Sequence, residues 1–245
     1  MKARIVVDAV VPWADDLFLH CQQLIRWVTD YVDLEESLAI GSVAQEELAH
    51  AGVLLDLAGC TPEDRDRLIY RRELSGWHPS RLVLWNADDW PATVARGFLL
   101  TQGSLAMVSA LEQVGGDRLA GAATVIAAEQ QLHARHWRRW VEILAHDPDT
   151  TELFAASLAA AVAATDDFFG LPGVLPVSLD PAALHRAFLD RVGKELVELG
   201  VDVPEFPAGP VGREPGGGAP GLDRLLHQVR RIRDAHPDRV YGICR

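Results

Sequence analysis

Two short runs in the sequence carry carboxylates and imidazoles at helical spacing. In Glu46-Glu47-Leu48-Ala49-His50, Glu47 and His50 stand three positions apart; in Glu129-Gln130-Gln131-Leu132-His133, Glu129 and His133 stand four apart. On an α-helix either spacing puts both side chains on one face, so each pair can converge on a single point. A carboxylate and an imidazole from each of two helices make half the ligand set of a carboxylate-bridged di-iron centre in a four-helix bundle. The other half is a Glu from each remaining helix. Iron is therefore the cofactor to weigh, with Glu47, His50, Glu129 and His133 as ligands and His20 as a further nitrogen donor.

Four long helices must bring these residues together. After Pro12, Trp13 to Tyr31 shows apolar residues at close to helical period (Leu17, Leu24, Trp27, Val28). Asp33 caps a second helix that runs to Leu57 and stops at Gly59. Thr61-Pro62 starts a short one, and residues 74–90 read as irregular and aromatic-rich. Pro91 opens a third long helix ending at Gly115-Gly116; Asp117 caps a fourth that ends near Ala145. Further helices are expected from Thr150 or Thr151 to Phe168, closed by Gly170 to Gly173, then from Pro181 to Leu199 and from Gly221 to Ala235. The only candidate strand is Arg4 to Val11. The reading is all-α: one domain over residues 1–245, with a core bundle at about 13–146 and a helical extension at about 150–203. A Pro/Gly-rich loop at 204–221, expected to be mobile, precedes a last helix at 221–235.

A metal-binding bundle holds its ligands at matching depth. The midpoints of the first and third long helices are polar within apolar surroundings: His20-Cys21-Gln22-Gln23 and Thr101-Gln102-Gly103-Ser104. Burying such groups unpaired costs roughly 1–3 kcal/mol each, so four polar patches at one level predict a shared polar centre. The carboxylates are short, however. The first helix has acids only near its ends (Asp15, Asp16, Asp30), and the third has only Glu112 at its far end. Gln22, Gln23 and Gln102 are poor bridging ligands, and the i, i+3 partner of His133 is Gln130. His136, one turn beyond His133, reads as a packing or supporting residue.

The bulk numbers bound the rest. With 245 residues, 49% of them hydrophobic, the chain can bury a full core. A formal charge of −12 argues against nucleic acid as a partner, since phosphate backbones need clustered Lys and Arg; the basic stretch Arg224 to Arg233 reads as a solvated helix face. Cys21, Cys60 and Cys244 are scattered and form no CxxC, which fits a reducing compartment. No signal peptide and no uninterrupted apolar run of membrane-spanning length are seen, so a cytoplasmic protein without a membrane partner is expected. No P-loop, GxGxxG or Ser-His-Asp order supports nucleotide, dinucleotide or hydrolase chemistry.

At this level the chain resembles the phenylacetic acid catabolic protein family, the ferritin-like subunits of bacterial phenylacetyl-CoA epoxidase, and looks most like the non-catalytic, PaaC-type subunit. The resemblance spans nearly the whole chain. It rests on Asp15-Asp16 through Gln22 and Trp27, Leu34-Glu35 with Leu38-Ala39, and Ala51 to Leu57-Ala58-Gly59. It continues through Thr93-Val94-Ala95-Arg96, Glu129 with His133 and Trp140, and Gly221-Leu222. It implies a ferritin-like bundle with added C-terminal helices and a homologous catalytic oxygenase subunit, or a second copy of the chain, as partner. In that family the catalytic subunit carries the di-iron centre and acts on the aromatic ring of phenylacetyl-CoA, while the companion lacks a complete site. Glu47 and His50 resemble the catalytic type; the missing acids resemble the companion.

Three functions follow as alternatives. The chain is the structural component of a multicomponent aromatic acyl-CoA monooxygenase, or a self-contained iron-dependent oxidase or oxygenase using Glu47, His50, Glu129 and His133, or a metal-free ferritin-like binding scaffold.

Overall fold

The computed structural model describes residues 2–30, 33–114, 117–171, 179–219 and 221–236. Nine α-helices are found among them: α1 (Lys2–Leu24), α2 (Leu34–Leu57), α3 (Pro62–Tyr70), α4 (Arg81–Leu84), α5 (Trp90–Val114), α6 (Asp117–His146), α7 (Thr151–Ala163), α8 (Pro181–Glu198) and α9 (Leu222–Ala235). No strand occurs among the described residues. Gly115-Gly116, Pro172-Gly173 and Cys244, which figured as helix stops or free thiol, lie outside them.

The start signals act as the local chemistry requires. Asp33 accepts a hydrogen bond from the Glu36 amide, and Thr61 and Asp64 form a reciprocal capping box with Pro62 at the first helical position. Gly59 takes the left-handed conformation that ends α2, at φ 84°.

Antiparallel α1 and α2 pack as one hairpin and α5 and α6 as a second; α2 lies against α6 to close the bundle. Helices α7 and α8 cover α5, and α9 packs on α1. One hydrophobic cluster runs from Val10 to Leu226. Helix α5 is mostly apolar because all but its last turns are covered. It is long and apolar enough to cross a membrane by length and composition, but 89% of its most apolar window is buried within the protein.

Three expectations about where helices run need correction. The strand proposed for Arg4 to Val11 is helical, and α1 continues through Pro12. A proline inside a helix removes one backbone donor without forbidding the helix, and buried Val10, Trp13 and Leu17 repay the loss by packing. The first helix also stops at Leu24, giving way to a 3₁₀ turn at Ile25–Val28. The fifth long helix ends at Ala163 rather than Phe168. The chain turns there so that Phe168 and Phe169 pack on Phe188, with ring centroids 6.2 and 5.7 Å away. Phe168 lies against α5 where residue 103 has no side chain, so a Cβ there would collide with the ring.

The Pro/Gly-rich stretch is no free linker. Arg213 is buried and donates to the carbonyls of Pro12, His78, Asp167 and Phe168 as well as to Asp16. The Gly216 amide bonds the Trp77 carbonyl at 2.7 Å. Backbone with few side chains of its own to bury is fixed here by one guanidinium.

Candidate functional site

The bundle brings the middle of α2 against the middle of α6. Glu47, His50, Gln130 and His133 are all buried there, between 0 and 2% exposed. Gln130 donates through Nε2 to both carboxylate oxygens of Glu47, at 3.0 and 3.1 Å. The amide must present its nitrogen to Glu47, because its oxygen would meet a carboxylate that can only accept. His133 Nδ1 lies 3.2 Å from Glu47 Oε1, and His50 Nδ1 lies 3.9 Å from Oε2. The two imidazoles flank Glu47 with ring centroids 6.1 Å apart.

Each histidine also reaches across to an acid on the facing helix. His133 Nε2 is 2.6 Å from Glu46 Oε2, and His50 Nε2 is 2.5 Å from Glu129 Oε2. Glu46 and Glu129 form the rim, with side chains 37 and 38% exposed. The arrangement is close to two-fold: Glu46, Glu47 and His50 on α2 are answered by Glu129, Gln130 and His133 on α6.

Charge follows from these contacts. Burial alone would raise the Glu47 carboxyl, but the hydrogen bond and charge of His133, together with the close imidazole of His50, outweigh it and hold the group well below the usual range. Burial works against protonating His50 and His133, yet the neighbouring carboxylates win and raise both. His20 is the opposite case: buried and without a hydrogen-bond partner, it is pushed down to about 3, with desolvation outweighing its attraction to Glu47. His20 is thus a neutral imidazole near a carboxylate. The Cys21 thiol, also near Glu47, is pushed up to about 12 by burial, so it stays protonated.

The four polar midpoints do not all converge. Gln23 turns away to the Val83 carbonyl, and the amide oxygen of Gln102 accepts from Arg191 on α8 at 3.2 Å. Ser104 accepts from the Trp13 indole at 3.4 Å. The third helix therefore spends Gln102 and Ser104 on neighbours and leaves the Thr101 hydroxyl without a hydrogen-bond partner, while α1 contributes only His20 and Cys21. His136 pairs with Glu36 at 3.0 Å and packs edge-on to Trp137, which makes it a supporting residue.

A carboxylate-bridged di-iron centre does not fit this donor set. It calls for four carboxylates in the core; the centre here holds one, Glu47, and its amide neighbour occupies the place of a second. Among the described residues no three His, Cys, Asp or Glu side chains stand as a metal-ligand group. What the cluster can do is store and move protons between two imidazoles and three carboxylates, two of which touch solvent.

Gln130 and Glu46 were the residues that spacing alone undervalued. The signal for Gln130 lay in the sequence: Gln130 to His133 repeats the i, i+3 interval of Glu47 to His50, whereas Glu129 lies one position off. Nothing local marks Glu46 as a partner of His133.

Compared with known proteins, residues 2–240 match a family model described as Phenylacetic acid catabolic protein. No curated protein matches the chain.

Proposed function

The chain belongs to the phenylacetic acid catabolic protein family, and from that premise we propose that it is the structural, ferritin-like subunit of a multicomponent aromatic acyl-CoA monooxygenase of the phenylacetyl-CoA type. Membership supports a role in phenylacetic acid catabolism and in a multicomponent complex; the assignment to the structural place rests on this chain's own core.

The observation that carries it is Gln130. An amide donating to both oxygens of Glu47 satisfies by hydrogen bonding a site that the catalytic type fills with acids and metal charge. Glu47, His50 and His133 then form a self-compensated polar core, satisfied from within the chain. A bundle built this way retains the shape of its catalytic relatives without their redox centre.

The surface supports a companion role. Val53 on α2 and Val125 and Leu132 on α6 are exposed, close in helical angle to Glu46 and Glu129 respectively. Their spacing on α6 (125, 129, 132) is that of one helix stripe. Such apolar residues around a charged pair suit a subunit interface.

The test is iron content after production in iron-supplemented cells, together with co-elution with a homologous catalytic subunit. Substoichiometric iron and a stable hetero-complex are expected. Stoichiometric iron that disappears on Glu47→Ala would instead establish the self-contained oxidase. A metal-free chain that forms no hetero-complex would leave the binding scaffold.

A further inference from the structure

Helix α5 carries one cation in its buried face. Arg96 sits among Thr93, Val94, Ala95 and Phe98 and is 2% exposed. Its Nη1 donates to the Trp85 carbonyl at 3.2 Å, while Nε and Nη2 have no hydrogen-bond partner. No carboxylate touches it among the described residues. Burying a cation without a counter-charge is among the most unfavourable arrangements a fold can hold. Burial, reinforced by Arg26 and only partly opposed by the charge of Asp88, accordingly pulls the guanidinium down to about 9.

Arg96 lines a cavity of about 270 Å³ between the end of α1, the segment after α4 and the beginning of α9. Two further arginines, Arg26 and Arg224, line it, with Asp88 as the one carboxylate among the lining residues. Arg26 is anchored by the Ala87 carbonyl and stands 3.9 Å from Asp88. Arg224 is exposed and forms no ion pair among the described residues. Gly221 begins α9 at the cavity wall, and no side chain caps that helix end. Free amides at a helix N-terminus favour an anion. Asp223 lies in the same first turn, and its charge acts on Arg230 further along the helix.

We propose that this cavity binds the phosphate group of a small ligand, with Arg96 as the buried anchor and Arg26, Arg224 and the start of α9 completing the cradle. Planar guanidinium forks match phosphate oxygens better than a point charge does. The cavity holds a headgroup rather than a whole drug-sized molecule, since such ligands occupy roughly 300–1,000 Å³. None of its lining residues belongs to the Glu47 cluster, so the site is independent of the function proposed above. The formal charge of −12 repels anions in general, which makes saturable phosphate binding a property of this cavity.

Titration calorimetry of the full chain with inorganic phosphate at low salt tests it. Saturable binding is expected, weakened about tenfold or more by Arg224→Gln and lost in Arg96→Met. Arg224 is on the surface, so its variant reads the site even if Arg96→Met fails to fold. Pyrophosphate binding more tightly than phosphate assigns the site to a phosphate within a larger ligand, and the reverse order to the free ion; both support the proposal. It is overturned if phosphate shows no saturable binding, if acetate binds as well as phosphate, or if Arg224→Gln and Arg26→Gln leave the affinity unchanged.

Discussion

Asp16 and Glu47 are both carboxylates buried to about 1% exposure in the same bundle, and their surroundings push them in opposite directions. At Asp16 burial wins: the carboxyl is raised despite Arg213 at 2.7 Å and the Ser80 amide at 2.8 Å, and neighbouring Asp15 adds to the rise. At Glu47 hydrogen bonding wins, and the carboxyl is lowered. The difference lies in how the partners are shared. Arg213 divides its donors among Asp16 and four backbone carbonyls, holding together α1, the segment before α4, the turn after α7 and the Pro/Gly-rich loop. His50, His133 and Gln130 all crowd around the single carboxylate of Glu47. One centre is a clamp for the chain, and the other is a titratable core whose rim acids reach water. Burial alone therefore does not say what a charged residue is for; the competition for its partners does.

The sharpest way to break this comparison is at the clamp. Removing one member of a buried, hydrogen-bonded ion pair costs about 3–5 kcal/mol. Arg213→Met should therefore lower the melting temperature by roughly 10 °C, measured by calorimetry. A fall of only a degree or two would show that the clamp is not structural.

Glu47→Gln comes next, at roughly 1–3 kcal/mol, because both imidazoles and the Gln130 amide lose a charged acceptor. Nuclear magnetic resonance titration should show His50 and His133 falling in pKa in this variant. If they do not move, Glu47 is not what holds them protonated.

The third prediction uses pH. Glu47 is lowered, so its contribution is present above the ordinary glutamate value of 4.5 and lost as pH falls through its folded value. Asp16 is raised above its ordinary 3.8, so its contribution is present below that value and lost as pH rises through the folded one. The stability of the natural chain relative to Glu47→Gln should thus increase with pH across the acid range, and relative to Asp16→Asn it should decrease. Chemical denaturation from about pH 3 to 6 reads both slopes, of order 1 kcal/mol per pH unit. Slopes of the same sign would erase the distinction. His50 and His133 are raised above 6.5, so their stabilisation is complete below that value and fades as pH climbs through the folded pKa values.

The smallest effects belong to the rim. Glu46→Gln and Glu129→Gln each remove a partner that is over a third exposed, so each should cost less than about 1 kcal/mol. A loss as large as that of Glu47→Gln would mean that the rim, and not the centre, organises the cluster.

Much of this was legible from residues in order. The caps at Asp33 and Thr61, the stop at Gly59 and the long apolar helices follow from local chemistry and were found where expected. The pairing of Glu47 with His50 on one face follows equally from helix period. Less legible were the helix through Pro12, the early end of α7 and the pinned loop, since each is decided by contacts with distant segments. Arg213 shows this most plainly: its sequence neighbours are Gly212, Glu214 and Pro215, which predict a loop, while its partners lie on α1 and around residues 78 and 167–168.

The sequence by itself determined the helices and the fact that two of them carry acid and imidazole at mid-length. Tertiary structure decided which acid faces the centre. On a helix one residue is a rotation of about 100°, so exchanging Glu129 for Gln130 at the core requires only that α6 be turned by one position. That turn is set by which face of α6 buries Ala123, Ile126, Trp137 and Val141 against its neighbours. The same packing puts an amide beside Glu47 and sends Glu129 to the rim. Local spacing could offer both residues; only the packed bundle could choose between them.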